Sequence, residues 1–116
     1  MAQFKNILIG IAFSPSLKSN LHEAIRIANM FGSQLIGIHV GDKTQEKEAQ
    51  LKLILDNAPS QNNELKIIWQ KGNPVDVILS TTKNQNIDLL ILGALQQENL
   101  FKYYVGSIAR KLTRRA

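Results

Sequence analysis

Ile7-Leu8-Ile9-Gly10-Ile11-Ala12-Phe13 is the stretch of this 116-residue chain that decides its fold. An unbroken apolar run rich in β-branched residues, with no polar alternation, suits a strand covered on both faces in a parallel sheet. It predicts a strand near the centre of such a sheet. The run is far too short to span a bilayer, and Phe4, Lys5 and Asn6 before it do not have the layout of a signal peptide. No membrane segment is expected, and the location expected by default is cytoplasmic.

The pattern around this run repeats. Ser14-Pro15-Ser16 breaks the strand, and Leu17, Leu21, Ala24, Ile25 and Ala28 then recur at helical spacing up to Gly32, which is well placed to end a helix. Leu35-Ile36-Gly37-Ile38-His39-Val40 is a second buried strand, followed by a Gly41-Asp42 turn. Leu51, Ile54, Leu55 and Ala58 mark a second amphipathic helix. In the third strand Leu65, Ile67 and Trp69 alternate with Lys66, Ile68 and Gln70, as at a sheet edge. Asn73-Pro74 opens a third helix, with Asn73 as cap, Pro74 at the first helical position and Val75, Ile78, Leu79 and Thr82 as its inward stripe. Asp88-Leu89-Leu90-Ile91-Leu92-Gly93 is a fourth strand. A polar stretch from Ala94 to Lys102 follows, then a last helical stripe of Val105, Ile108, Ala109 and Leu112. This alternation predicts an α/β fold: a three-layer, doubly wound parallel sheet of the Rossmann-like kind, with helices on both faces.

Composition narrows the function classes. The length favours one domain, 1–116, and the 44% apolar and 20% charged residues are those of a globular chain. There is no cysteine, so disulfides, thiolate catalysis and cysteine-ligated metal are excluded. The net charge of +5 comes from Lys102, Arg110, Lys111, Arg114 and Arg115, which follow the last acid, Glu98. A basic tail on a neutral body, without interleaved aromatic residues, is not the footprint of a nucleic-acid binder. The chain has no serine nucleophile elbow, no paired carboxylates and no lysine-bearing phosphate loop, so it is not expected to be an enzyme.

In doubly wound sheets small molecules bind beyond the carboxyl ends of the strands, where the winding direction reverses. That rule selects the loop after Ile11, the end of the second strand at Val40 and the connection after Gly93. Gly93, Gly106 and Ser107 could present backbone amides and a hydroxyl to phosphate. They could equally serve a tight turn, close helix packing and a helix cap without any ligand. Asp42 reads as ordinary turn chemistry. His22 and His39 have no partner at metal-ligand spacing and read as core or surface histidines, so no metal site is expected.

In sum, the order of these elements resembles the universal stress protein family over essentially the whole chain. The residues carrying the resemblance are Ile7 to Ile11, Gly32 to Val40, Lys71-Gly72-Asn73-Pro74 and Asp88 to Gly93. Members that bind ATP carry a G-x-x-G-(nine residues)-G-S/T pattern. Gly93, Gly106 and Ser107 fall in register with it, whereas Gln96 replaces its middle glycine. Those members also tend to have aspartate, glycine and serine at the end of the first strand, where this chain has Ala12-Phe13-Ser14. The resemblance implies a non-enzymatic regulatory domain of the stress response with a degraded site for ATP or another adenine nucleotide. Mg2+ would bind only with ATP. Ala12 would lie at that site, Val40 would meet the base, and Gly93, Gly106 and Ser107 would meet phosphate. Phe13 would fill space meant for adenine. The alternative is a ligand-free interaction or dimerisation module. A homodimer, or pairing with a second domain of the same family, is expected. The family's fifth strand after the last helix is missing, which leaves four strands and an edge of the fourth to be covered. A truncated chain or the first half of a tandem protein is therefore expected.

Overall fold

A computed structural model describes residues 4–61, 64–93 and 100–104. The elements alternate as β1 (Asn6–Gly10), α1 (Leu17–Phe31), β2 (Gln34–Val40), α2 (Gln45–Asp56), β3 (Lys66–Gln70), α3 (Pro74–Asn84), β4 (Leu89–Gly93) and β5 (Leu100–Tyr104). The sheet order is β3-β2-β1-β4-β5. The four expected strands are parallel, with Leu8 opposite Ile36 and Leu90, and Ile38 opposite Ile68. β1 lies at the centre and β3 at an edge, as the apolar run and the alternation require.

Successive side chains of β1 enter two different cores because strand side chains alternate between faces. Ile7, Ile9 and Ile11 pack with Leu21 and Ile25 of α1 and Leu51 and Ile54 of α2. Leu8 points the other way, with Ile36, Ile38 and Leu90, against Val77 of α3. Ile7, Leu8 and Ile9 are all but inaccessible to solvent. Each contributes about 2 kcal/mol relative to an exposed side chain. The two-faced burial explains why the run shows no alternation in sequence.

Local signals set the helix ends. Gly32 adopts φ 66° and its N–H reaches the carbonyls of Ala28 and Asn29, a left-handed cap that a side chain would strain. Asn73 accepts from the N–H groups of Val75 and Asp76, and Pro74 opens α3. The inward face of α3 differs from the expected stripe. Val77, Thr81 and Thr82 are buried, Ile78 and Leu79 are half-buried, and Val75 is exposed. The reason is that Val75 falls in the first turn, while the face meeting β2 begins one residue pair later.

Two departures concern strand limits. β1 stops at Gly10; Ile11 makes one last ladder bond, Ala12 and Phe13 leave the sheet, and the apolar side chains of Ile11 and Phe13 serve packing. Part of the expected polar stretch forms β5, which pairs antiparallel with β4, Leu89 opposite Tyr104 and Gly93 opposite Leu100. The β4 edge expected to be unpaired is therefore covered from within the chain. The expected last helical stripe, Val105 to Leu112, lies outside the described residues.

Candidate functional site

A cavity of about 440 Å³ opens at the carboxyl ends of β1, β2 and β4, beside the switch point between β1 and β4. Gly10, Ile11, Ala12 and Phe13 supply one wall, Ile38, His39 and Val40 another, and Leu92 with Pro74 and Ile78 of α3 the rest. The wall is predominantly apolar, and its polar side chains are those of Ser14, Asn20 and His39. Leu92 closes on Gly10 so tightly that a Cβ there would lie 2.9 Å from Leu92 Cδ2. The absence of a side chain at Gly10 lets β4 approach.

The wall at β1 is shaped by an early exit from the sheet. Ile11 N–H makes the last rung, 2.8 Å to the carbonyl of Ile38, and the chain then turns tightly, with Ser14 N–H 2.9 Å from the carbonyl of Ala12. In a parallel ladder, donors and acceptors of alternate residues face the same neighbour. Gly41 N–H bonds Gln70 of β3 at 3.0 Å, so Val40, one residue earlier, turns its N–H and C=O toward β1. No strand continues there, and among the described residues neither group has a backbone partner. Val40 thus presents an open donor and acceptor at the cavity.

Behind this edge lies a compact cluster that the sequence did not reveal. His39 is buried, with Phe13 edge-on at 4.8 Å and Trp69 edge-on at 5.4 Å; Phe13 and Trp69 stack at 6.2 Å. His39 Nδ1 lies 2.8 Å from the Ile11 carbonyl, and Nε2 lies 3.0 Å from Lys47 Nζ. Lys47 also donates to the Asp42 carbonyl at 3.1 Å and sits 5.6 Å over the Phe13 ring. Phe13 therefore borders the cavity with its ring engaged by His39 and Trp69, and does not fill it as expected.

Charges on the adjoining loop are otherwise matched. Lys71 Nζ meets Asp42 at 2.9 Å and Lys43 meets Glu48 at 3.5 Å. The hydrogen bond and charge of Lys71 hold the Asp42 carboxyl below its ordinary value, and Asp42 raises Lys71 in return. Lys47 makes no direct ion pair among the described residues, although its charge also helps to lower the Asp42 carboxyl. No group of three or more His, Asp or Glu side chains among the described residues is arranged to hold a metal ion.

The structure brings Ala12 and Val40 to one cavity. Ala12 is exposed and has no side-chain acceptor. Gly93 ends β4, one residue beyond the lining residue Leu92. Gly106 and Ser107 lie outside the described residues, as does Gln96. His39 and Lys47 were missed because histidine in an apolar strand has no distinctive spacing, and Lys47 is one of several lysines on a polar helix. The nearest signal was the adjacency of His39 to Val40.

The sequence profile of the universal stress protein family matches residues 3–116. No curated protein matches the chain by sequence. Among solved structures, a universal stress protein in complex with cAMP superposes with a TM-score of 0.67 at 19% identity, over 93% of this chain and 89% of the other. The universal stress protein UspA of Lactobacillus plantarum gives 0.61 at 24% identity, over 100% and 94%. A universal stress protein of Archaeoglobus fulgidus gives 0.63 at 21% identity, over 97% of this chain and 41% of the other. Among the described residues no helix is long and apolar enough to cross a membrane.

Proposed function

Since the chain belongs to the universal stress protein family, we propose that it is a non-enzymatic regulatory domain of the stress response that holds an adenine nucleotide in the cavity at Val40. The observation that carries this reading is the open N–H and C=O of Val40 beside an apolar cavity of about 440 Å³. The volume lies within the range of sites for small ligands, roughly 300 to 1,000 Å³. A neighbouring donor and acceptor match the complementary pair on the edge of an adenine ring, and Ile38, Ile78 and Leu92 offer the apolar contact that its faces require. A related fold holds cAMP.

The base end of the site fits the nucleotide better than the sugar end does. Ala12, where the resemblance places an aspartate, offers no side-chain acceptor to a ligand hydroxyl, so affinity is carried by the base and by phosphate contacts assigned, on the resemblance, to Gly93, Gly106 and Ser107. Bound ATP would bring Mg2+ with it. Nucleotide occupancy would bias partner binding rather than lead to turnover. The partner in this reading is a second copy or a second domain of the same family, in the cytoplasm. Ala12 also favours the second reading, a ligand-free interaction module that has kept the scaffold.

Calorimetric titration with ATP and Mg2+, repeated with cAMP, decides between them. Saturable one-site binding, abolished by Ile78→Trp through filling of the cavity, is the result expected. Absence of heat at high protein concentration overturns the nucleotide reading and leaves the ligand-free module.

A further inference from the structure

We infer that His39 is a positioning residue that keeps the peptide edge of Val40 open toward the cavity, its imidazole tautomer set by the Ile11 carbonyl on one side and Lys47 on the other. The inference deepens the nucleotide reading and rests on it for its consequence in binding, but the hydrogen-bond arrangement stands on the geometry alone.

A parallel ladder continues by alternation. Ile11 N–H bonds the Ile38 carbonyl at 2.8 Å, so the next rung would join Val40 N–H to the Ile11 carbonyl. That rung is not formed. The Ile11 carbonyl is engaged instead by His39 Nδ1 at 2.8 Å. The side chain of the residue next to Val40 has taken the acceptor that Val40 would use.

The assignment of donor and acceptor follows from both neighbours of the ring: the Ile11 carbonyl can only accept, and Lys47 can only donate. An ammonium group only donates, so Nε2 of His39, 3.0 Å from Lys47 Nζ, accepts. The ring proton is therefore on Nδ1, where it donates to the Ile11 carbonyl. With the other tautomer, Nε2–H would face the ammonium and Nδ1 would face a carbonyl, two donors and two acceptors opposed. Lys47 is held in place by the Asp42 carbonyl and the Phe13 ring, and Phe13 and Trp69 fix the plane of the imidazole. Gly41 completes the arrangement, because a Cβ there would lie 2.8 Å from Nε2. The chain passes over the imidazole only where it lacks a side chain.

Two readouts test this without ligand and one with it. Long-range 1H–15N spectra of the histidine ring are expected to show the Nδ1–H tautomer at His39, and to show it retained in Lys47→Met, because the Ile11 carbonyl still requires a donor. Hydrogen exchange at the Val40 amide is expected to be fast in the parent chain and at least about tenfold slower in His39→Leu, where the ladder can close. ATP affinity is expected to fall about tenfold in His39→Leu, the loss of one hydrogen bond. In His39→Asn, whose amide nitrogen can donate from the Nδ1 position, affinity should stay within about threefold of the parent. An Nε2–H tautomer in the parent chain overturns the inference, as does an unchanged Val40 exchange rate in His39→Leu. If the parent chain binds no ATP, the nucleotide reading fails, while tautomer and exchange still decide the role of His39.

Discussion

Asp42 and Lys71 show how a residue-level pairing on the loops after β2 and β3 responds to pH. Both are exposed, and their 2.9 Å contact lowers the Asp42 carboxyl and raises the Lys71 ammonium. A carboxyl lowered on folding contributes stability that is present above its unfolded value and is lost as pH falls through the lowered one. For the raised ammonium the contribution is present below the ordinary lysine value and is lost as pH rises through the raised one. Solvent screens the pair, so the effect on stability is small. NMR titration of the Asp42 carboxyl is expected to give a midpoint below the ordinary aspartate value, rising toward it in Lys71→Met; an unchanged midpoint would remove the pairing. At this scale the sequence disclosed candidates without their connections. Val40 could be placed at a strand end from its position alone, whereas the diversion of the Ile11 carbonyl depends on residues at 11, 39 and 47 meeting in space.

Element boundaries followed local chemistry where that chemistry is unambiguous. The cap at Asn73 was legible because Asn73, Pro74 and Asp76 in the first turn each favour the same helix start. Ser16, before α1, has the side chain of a cap but makes no capping hydrogen bond, and its backbone is already helical. The two helix starts should therefore differ on substitution. Asn73→Ala is expected to destabilise the protein by about 1 kcal/mol in urea unfolding. Ser16→Ala should change it by less than about 0.5 kcal/mol. Equal effects would show that the cap bond at α3 contributes nothing. The face of α3 was less legible, since Val75, Ile78, Leu79 and Thr82 and the buried set Val77, Thr81 and Thr82 are both compatible with helical spacing. Only the position of the sheet chooses between them. β5, Leu100-Phe101-Lys102-Tyr103-Tyr104, has strand-favouring residues but was hidden by the polar residues before it and by the expectation that a helix follows the fourth strand.

At the scale of the whole molecule, the parallel sheet is closed by contacts between residues far apart in sequence. The Asp88 carboxylate, just before β4, accepts from the N–H groups of Lys5 at 2.8 Å and Asn6 at 3.0 Å, and Asp88 N–H reaches the Asn6 carbonyl at 2.9 Å. This clamp aligns β1 with β4, and hence the two strand ends that border the cavity at Gly10 and Leu92. Removing it leaves two backbone donors without their charged acceptor. Asp88→Ala is expected to lower stability by about 2 kcal/mol in urea unfolding. A loss under about 0.5 kcal/mol, the range of ordinary surface substitutions, would show that the strands align without it. β3, by contrast, is held at one edge only, with Ile67, Ile68 and Trp69 all half-buried.

What the sequence determined by itself was the architecture. Long apolar runs without alternation require strands covered on both faces, and their regular separation by amphipathic helices requires parallel winding. Those are properties of consecutive residues. The tertiary structure decided the chemistry of the cavity: that β1 leaves the ladder after Ile11, that His39 takes the Ile11 carbonyl, and that Val40 is left with an open edge. The physical reason is that a hydrogen bond depends on which groups meet across strands. The same peptide N–H is a ladder rung or a ligand contact according to where the neighbouring strand ends.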